Sequence, residues 1–162
     1  MGVGKTTIGK KLAELLHYSF FDLDKEIESY TKKSISEIFE KDGEKYFREI
    51  ESFILKSFLN HKNAVISTGG GTPCFFDHMD WMNENGLTTY IKASEDFIYH
   101  RLSHAKKPRP LIKDFSEEKL KSFIHAKLEE RNSVYKKCQI IYQIPDGKLD
   151  SLLEKIFLVL KK

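Results

Sequence analysis

The N-terminal residues Gly2-Val3-Gly4-Lys5-Thr6-Thr7 carry the back half of the pattern G-x-x-x-x-G-K-[ST], whose residue types suit a polyphosphate. Glycines let backbone N–H groups curl round a phosphate, a lysine reaches its outer oxygens, and a Ser or Thr hydroxyl meets Mg²⁺. The helix that follows points its N-terminus at the anion. All six residues are therefore candidate phosphate-binding residues, with Lys5 catalytic and Thr6 a metal ligand. The pattern's first Gly falls two residues before Met1. An upstream extension of about ten residues is expected, from a strand of ~5–6 residues plus its turn, with that strand central in the sheet.

Four further stretches hold residues that could do chemistry: Phe20 to Asp24 (F-F-D-L-D), Gly43 to Glu51 (G-E-K-Y-F-R-E-I-E), Ser67 to Gly71 (S-T-G-G-G) and Glu130 to Tyr135 (E-R-N-S-V-Y). A fifth, Lys107 to Leu111 (K-P-R-P-L), puts an arginine between prolines. Carboxylates at a strand end can take a proton from a hydroxyl. Guanidinium groups grip carboxylates and phosphates through paired N–H bonds, and consecutive glycines admit a ligand close to backbone. Each also has a plainer use. Asp22 and Asp24 are good helix caps, Arg48 would pair with Glu44 or Glu51 along a solvated helix face, and three glycines make a turn. The six histidines form no H-E-x-x-H motif, so they suggest no metal site.

These residues need a scaffold. A chain of 162 residues with 40% hydrophobic residues describes one globular domain, which should bury roughly 70% of the surface of its unfolded chain and needs no staples. Cys74 and Cys138 lack the spacing of a disulfide framework or a four-ligand zinc site, and predict a reducing cytoplasm. A net charge of +3 is too small for a protein that coats nucleic acid. No apolar run approaches the ~20 residues of a membrane span, and no leader pattern opens the chain.

Ile8, Leu12, Leu15 and Leu16 recur at helical spacing and predict a helix over 6–16. Strands are expected over 18–23, 63–67, 87–91 and 139–144, and helices over 34–39, 43–59, 94–102, 116–134 and 149–160. Ser116 followed by two glutamates marks a helix start. This alternation predicts an α/β fold with a parallel sheet covered on both faces. Ligands in such folds sit at the carboxyl ends of the strands, where Asp22, Asp24, Gly69 and Gly70 fall. The basic connector at about 103–115 reads as a lid.

In their order and separations the six motifs closely resemble those of the shikimate kinases, over essentially the whole chain. The resemblance implies a three-layer P-loop kinase fold of the nucleoside-monophosphate-kinase type, a single domain over 1–162, and a shikimate-binding helical segment at about 24–60. Five parallel strands are implied, four of them recognisable here. It implies transfer of the γ-phosphoryl of ATP to the 3-hydroxyl of shikimate, with Mg²⁺, in a cytoplasmic monomer of aromatic amino-acid biosynthesis without nucleic-acid or membrane partners. By the same resemblance Asp24 binds the ring hydroxyls and accepts the proton of the attacking one, while Arg48 and Arg131 bind the carboxylate. Gly69, Gly70 and Gly71 border the substrate, and Asp22 stands near Mg²⁺ through water. Arg109 swings onto the phosphates of ATP as a catalytic residue, and Arg101 lies near adenine. Two other readings stay open: a kinase of the same fold acting on gluconate or a nucleotide, and a non-catalytic nucleotide-binding module.

Overall fold

Short strands and longer helices alternate along the chain in a computed structural model that describes residues 2–105, 112, 114–144 and 148–160. In order they are α1 (Lys5–Leu16), β1 (Ser19–Asp22), α2 (Leu23–Thr31), α3 (Ile35–Lys41), α4 (Gly43–Ser57), β2 (Ala64–Ser67), α5 (His78–Asn85) and β3 (Thr89–Lys92). Then follow α6 (Glu95–Ser103), α7 (Glu117–Tyr135), β4 (Ile140–Gln143) and α8 (Leu149–Leu160). Two compact units result, one of Gly4–His78 and one of Met1–Val3 with Met79–Lys162.

In the first unit β1 runs parallel to β2, from Ser19 opposite Ala64 to Asp22 opposite Ser67. A parallel pair needs a long crossover, supplied here by α2, α3 and α4. The register decides what the unit can do. Because Asp22 and Ser67 finish side by side, Leu23-Asp24 and Thr68 to Gly71 leave from the same edge. Helix α1 packs on both strands, closely enough that a Cβ on Gly9 would lie 2.8 Å from the Phe20 ring. Leu23 and Ile27 of α2, with Phe47, Ile54 and Leu55 of α4, are buried, and the two helices pack together. Helix α3 opens with a capping box: Ser34 Oγ accepts from Glu37 N–H at 3.2 Å, while Ser34 N–H donates to Glu37 Oε2 at 2.9 Å.

In the second unit β3 pairs parallel with β4, from Thr89 opposite Ile140 to Lys92 opposite Gln143. Helices α6 and α7 pack on each other, and α8 on β4. Ser94 and Ser116 cap α6 and α7 by accepting from Phe97 and Lys119 N–H at 3.2 and 3.3 Å, with two acids in each first turn.

Each expected strand and helix is present, and the four strands form two parallel pairs. Helix α2 falls in the expected helical segment at about 24–60 without having been expected as a separate element, and α5 (His78–Asn85) is an addition. Among the described residues no helix is long and apolar enough to cross a membrane. Arg109, with residues 106–111 and 113 of the expected lid, lies outside the described residues.

Candidate active site

Gly4 stands at the N-cap of α1 in the left-handed region at φ 86°, and Gly2 adopts φ 70°. No side chain caps α1 and no acid lies in its first turn. The positive end of its dipole is therefore met by neither a capping side chain nor an acid, the setting in which a helix N-terminus takes a phosphate. Val3 is buried, Lys5 and Thr6 are half-buried, and Thr7 is exposed.

Thr6 on α1 donates its hydroxyl proton to Asp22 Oδ2 at the end of β1, at 2.8 Å. The bond commits the proton and leaves the oxygen's lone pairs for a cation. Among the described residues no three His, Cys, Asp or Glu side chains cluster as a metal site. One hydroxyl and one carboxylate nevertheless fit Mg²⁺, which takes hard oxygen donors, keeps several waters and completes its shell with phosphate oxygens.

Asp24, in the first turn of α2, is an exposed residue, yet protein crowds its carboxyl group. That loss of hydration raises its pKa above the ordinary 3.8, and the charges of Asp22, Glu51 and Glu28 raise it further. Lys5 acts the other way, so the lysine of the phosphate loop is felt at the acid of β1's end.

Arg48 is where the plain and the functional expectations meet. It does pair with both glutamates, its Nη2 with Glu44 Oε1 at 3.0 Å and its Nη1 with Glu51 Oε2 at 2.8 Å. The face is solvated only on one side, however: the side chain of Glu44 is 55% exposed, but those of Arg48 and Glu51 are 12% and 1% exposed. Glu51 Oε1 accepts from the hydroxyl of Thr72 at 2.6 Å, so both oxygens of this buried carboxylate are satisfied. The guanidinium lies 3.8 Å from the ring centroid of Phe75 and 4.9 Å from that of Phe47. A guanidinium has five N–H groups. Nε and Nη2 donate to Glu44, and Nη1 to Glu51. Among the described residues that leaves one N–H on each terminal nitrogen without an acceptor.

The glycines lie so close to these groups that a side chain would crowd them. A Cβ on Gly71 would sit 3.0 Å from Arg48 Nη2 and 3.3 Å from Nη1. A Cβ on Gly69 would meet Thr72 Oγ1 at 3.1 Å, Asp24 Oδ1 at 3.4 Å and Glu51 Oε1 at 3.5 Å. Gly69 therefore abuts Asp24 and Glu51, and Gly71 abuts Arg48, which pairs with the same Glu51; Asp24, Arg48, Gly69 and Gly71, expected together from the sequence, are neighbours, and Gly70 lies between the two glycines.

The second unit carries the other candidates. Arg101 is exposed near the end of α6, over the Phe97 ring at 5.7 Å. Arg131 is half-buried on α7, and its Nε is a buried side-chain nitrogen with no hydrogen-bond partner among the described residues. Glu51, Thr72, Phe75 and His78 were not expected as site residues. Only Glu51 left a signal, at helical spacing from Arg48 within the F-R-E-I-E run; the others reach the site through tertiary contacts.

A family model described as shikimate kinase matches residues 1–161. The chain belongs to the shikimate kinase family. A shikimate kinase of Azobacteroides pseudotrichonymphae is 45% identical over 157 residues, 96% of this chain and 92% of that protein. One from Parabacteroides distasonis is 47% identical over 142 residues, 88% of this chain and 82% of its own. The crystal structure of shikimate kinase from Bacteroides thetaiotaomicron matches with a TM-score of 0.90 at 37% identity, covering 100% of this chain and 94% of that one. Shikimate kinase from Acinetobacter baumannii, solved in complex with shikimate, matches with a TM-score of 0.84 at 32% identity, over 99% and 89% of the two chains. The fold is thus the α/β P-loop kinase fold of shikimate kinases.

Proposed function

We infer that this chain transfers the γ-phosphoryl group of ATP to the 3-hydroxyl of shikimate, giving shikimate 3-phosphate. The observation that carries the reading is the adjacency of Gly69 to Asp24 and of Gly71 to Arg48, on the same unit as Lys5 and Thr6. A small ring bearing a carboxylate and several hydroxyls needs that pairing of cation and acid. Membership of the shikimate kinase family and the shikimate complex of the Acinetobacter baumannii relative support it.

In this reading the two remaining N–H groups of Arg48 bind the substrate carboxylate, helped by Arg131, and the backbone of Gly69 to Gly71 lines the ring. Asp24 accepts a hydrogen bond from the attacking hydroxyl. As the new O–P bond forms and the bond from the γ-phosphorus to its bridging oxygen breaks, the hydroxyl proton passes to the Asp24 carboxylate. Its raised pKa makes it a better acceptor than an ordinary aspartate. Gly2 to Thr7 cradle the phosphates, with Lys5 on the outer oxygens. Thr6 and Asp22 would hold Mg²⁺, which when bound neutralises phosphate charge. Arg109, at the centre of a lid at about 103–115, covers the phosphates and excludes water, and Arg101 lies by the adenine. The chain acts as a single-domain monomer in the cytoplasm.

The test is a coupled ADP-release assay with Mg-ATP and a panel of acceptors. Turnover dependent on shikimate is expected; turnover with gluconate or a nucleoside monophosphate, and none with shikimate, would replace the substrate assignment.

A further inference from the structure

The segment Thr72 to His78 holds more order than a connector needs. A 3-10 turn over Thr72–Cys74 is closed by Cys74 N–H donating to Gly71 O at 2.8 Å. Phe76 then adopts φ 50°, a left-handed conformation that is strained for an aromatic residue. It does so although its side chain is 65% exposed and so gains little by burial. His78, fully buried, closes the segment. Its Nδ1 lies 2.9 Å from the carbonyl oxygen of Thr72, which only accepts, so Nδ1 carries the proton. In the neutral ring Nε2 then accepts from Ser52 Oγ on α4 at 2.9 Å.

The bend at Phe76 therefore sits between two residues with defined places. Phe75 precedes it and lies on the Arg48 guanidinium at 3.8 Å. His78 follows and pins the segment to α4 one turn after Arg48. Nε and Nη2 of the arginine donate to Glu44 and Nη1 to Glu51, but ion pairs alone leave a long side chain free to tilt about them. An aromatic face 3.8 Å away removes that tilt and favours the cation.

We propose that Phe75 and His78 are positioning residues of the acceptor site: Phe75 sets the plane of the Arg48 guanidinium, and His78 sets Phe75 by tying its segment to Ser52. The proposal rests on the reading of Arg48 as the carboxylate-binding residue. It assigns to the bend at Phe76 the work of turning one side chain towards Arg48 and the other towards α4.

The experiment is steady-state kinetics with shikimate at saturating Mg-ATP, and with ATP at saturating shikimate, on Phe75→Leu, Phe75→Trp, His78→Asn, Arg48→Ala and the double variant Phe75→Leu/His78→Asn. Melting temperatures verify folding. Phe75→Leu keeps apolar volume but loses the π-face; it should raise the KM for shikimate by about 3- to 30-fold, the range of a desolvated cation–π contact. Its kcat should stay within about twofold and its KM for ATP should not move, a split that loose packing would not give. Phe75→Trp should restore the wild-type KM. His78→Asn should raise the same KM, and the double variant should be no worse than Phe75→Leu, because both changes break one chain of contacts. Where His78→Asn fails to fold, the pair of Phe75 variants still decides the first half, and Ser52→Ala replaces it in the second. A wild-type KM in Phe75→Leu, or equal rises in both KM values, would overturn the proposal. Additive effects in the double variant would overturn the link from His78 to Phe75. If Arg48→Ala itself leaves the KM for shikimate unchanged, the underlying site reading fails instead.

Discussion

Replacing Gly71 with alanine separates the backbone's needs from the ligand's. Gly71 has φ −85° and ψ −27°, where alanine is at ease, so the backbone supplies no reason for a glycine. On its own the change should stabilise the fold by about 0.4–1 kcal/mol, through the lost entropy of the unfolded chain. The added methyl, however, lands 3.0 Å from Arg48 Nη2, 3.3 Å from Nη1 and 3.4 Å from Cζ. Ordinary contacts begin at about 3.5 Å, so the guanidinium must retreat by about half an ångström. Its bond to Glu51 is 2.8 Å long, and that shift carries it to the limit of hydrogen-bonding range. Losing one bond to a charged group costs about 1.5–3 kcal/mol of stability; a guanidinium displaced as far from the substrate carboxylate loses a bond of the same kind there, about 10- to 100-fold in the KM for shikimate. The two stability effects oppose each other, so the melting temperature should move by only a few degrees, at roughly 2–4 °C per kcal/mol for a chain of this size. Steady-state kinetics with each substrate, beside a melting curve, read both quantities. A KM for shikimate within twofold of wild type in folded protein would refute the reasoning, as would a parallel rise in the KM for ATP.

Three further outcomes follow from the same geometry. Asp24→Asn should lower kcat by about 10²- to 10⁴-fold, the usual share of a general base, and remove the acidic limb of the pH profile, a limb that lies above the ordinary carboxylate value because burial and neighbouring charges raise this pKa. The same variant should melt higher than wild type at neutral pH: a carboxyl whose folded pKa is raised favours the fold below pH 3.8 and loses that contribution as pH climbs through the raised value. Melting curves from pH 3 to 8 should show the gap between the two proteins widen with pH, and a constant gap would count against it. Thr72→Val keeps shape but strands Glu51 Oε1, which the hydroxyl serves at 2.6 Å in a residue with no exposure; about 1–3 kcal/mol of stability should go, and calorimetry showing no change would mean that water replaces the hydroxyl.

What the sequence made legible has a physical limit. Helix α1 shows its apolar face in four residues, and α6 and α7 open on serines followed by acids, all within one or two turns of chain. Helix α2 (L-D-K-E-I-E-S-Y-T) buries only Leu23 and Ile27, two residues of a short element that begins directly at the end of β1, and α5 is shorter still. At the site, the pairing of Arg48 with Glu44 and Glu51 follows from spacing along a helix. Its burial does not, because Phe75 and Thr72 cover it from a segment beyond the next strand. Spacing alone therefore permits the plain reading of Arg48 as a solvated ion pair, and only the tertiary structure shows an ion pair with two N–H groups left over. Phe76 and His78 are silent in sequence for the same reason: strain and burial are properties of the folded chain.

The most direct measurement is calorimetric titration of shikimate, and separately of Mg-ATP, into the wild-type chain and Arg48→Ala. The account predicts that the wild type binds both and that Arg48→Ala binds Mg-ATP with unchanged affinity while losing shikimate. Equal loss of both ligands, or shikimate binding untouched by the substitution, would contradict it.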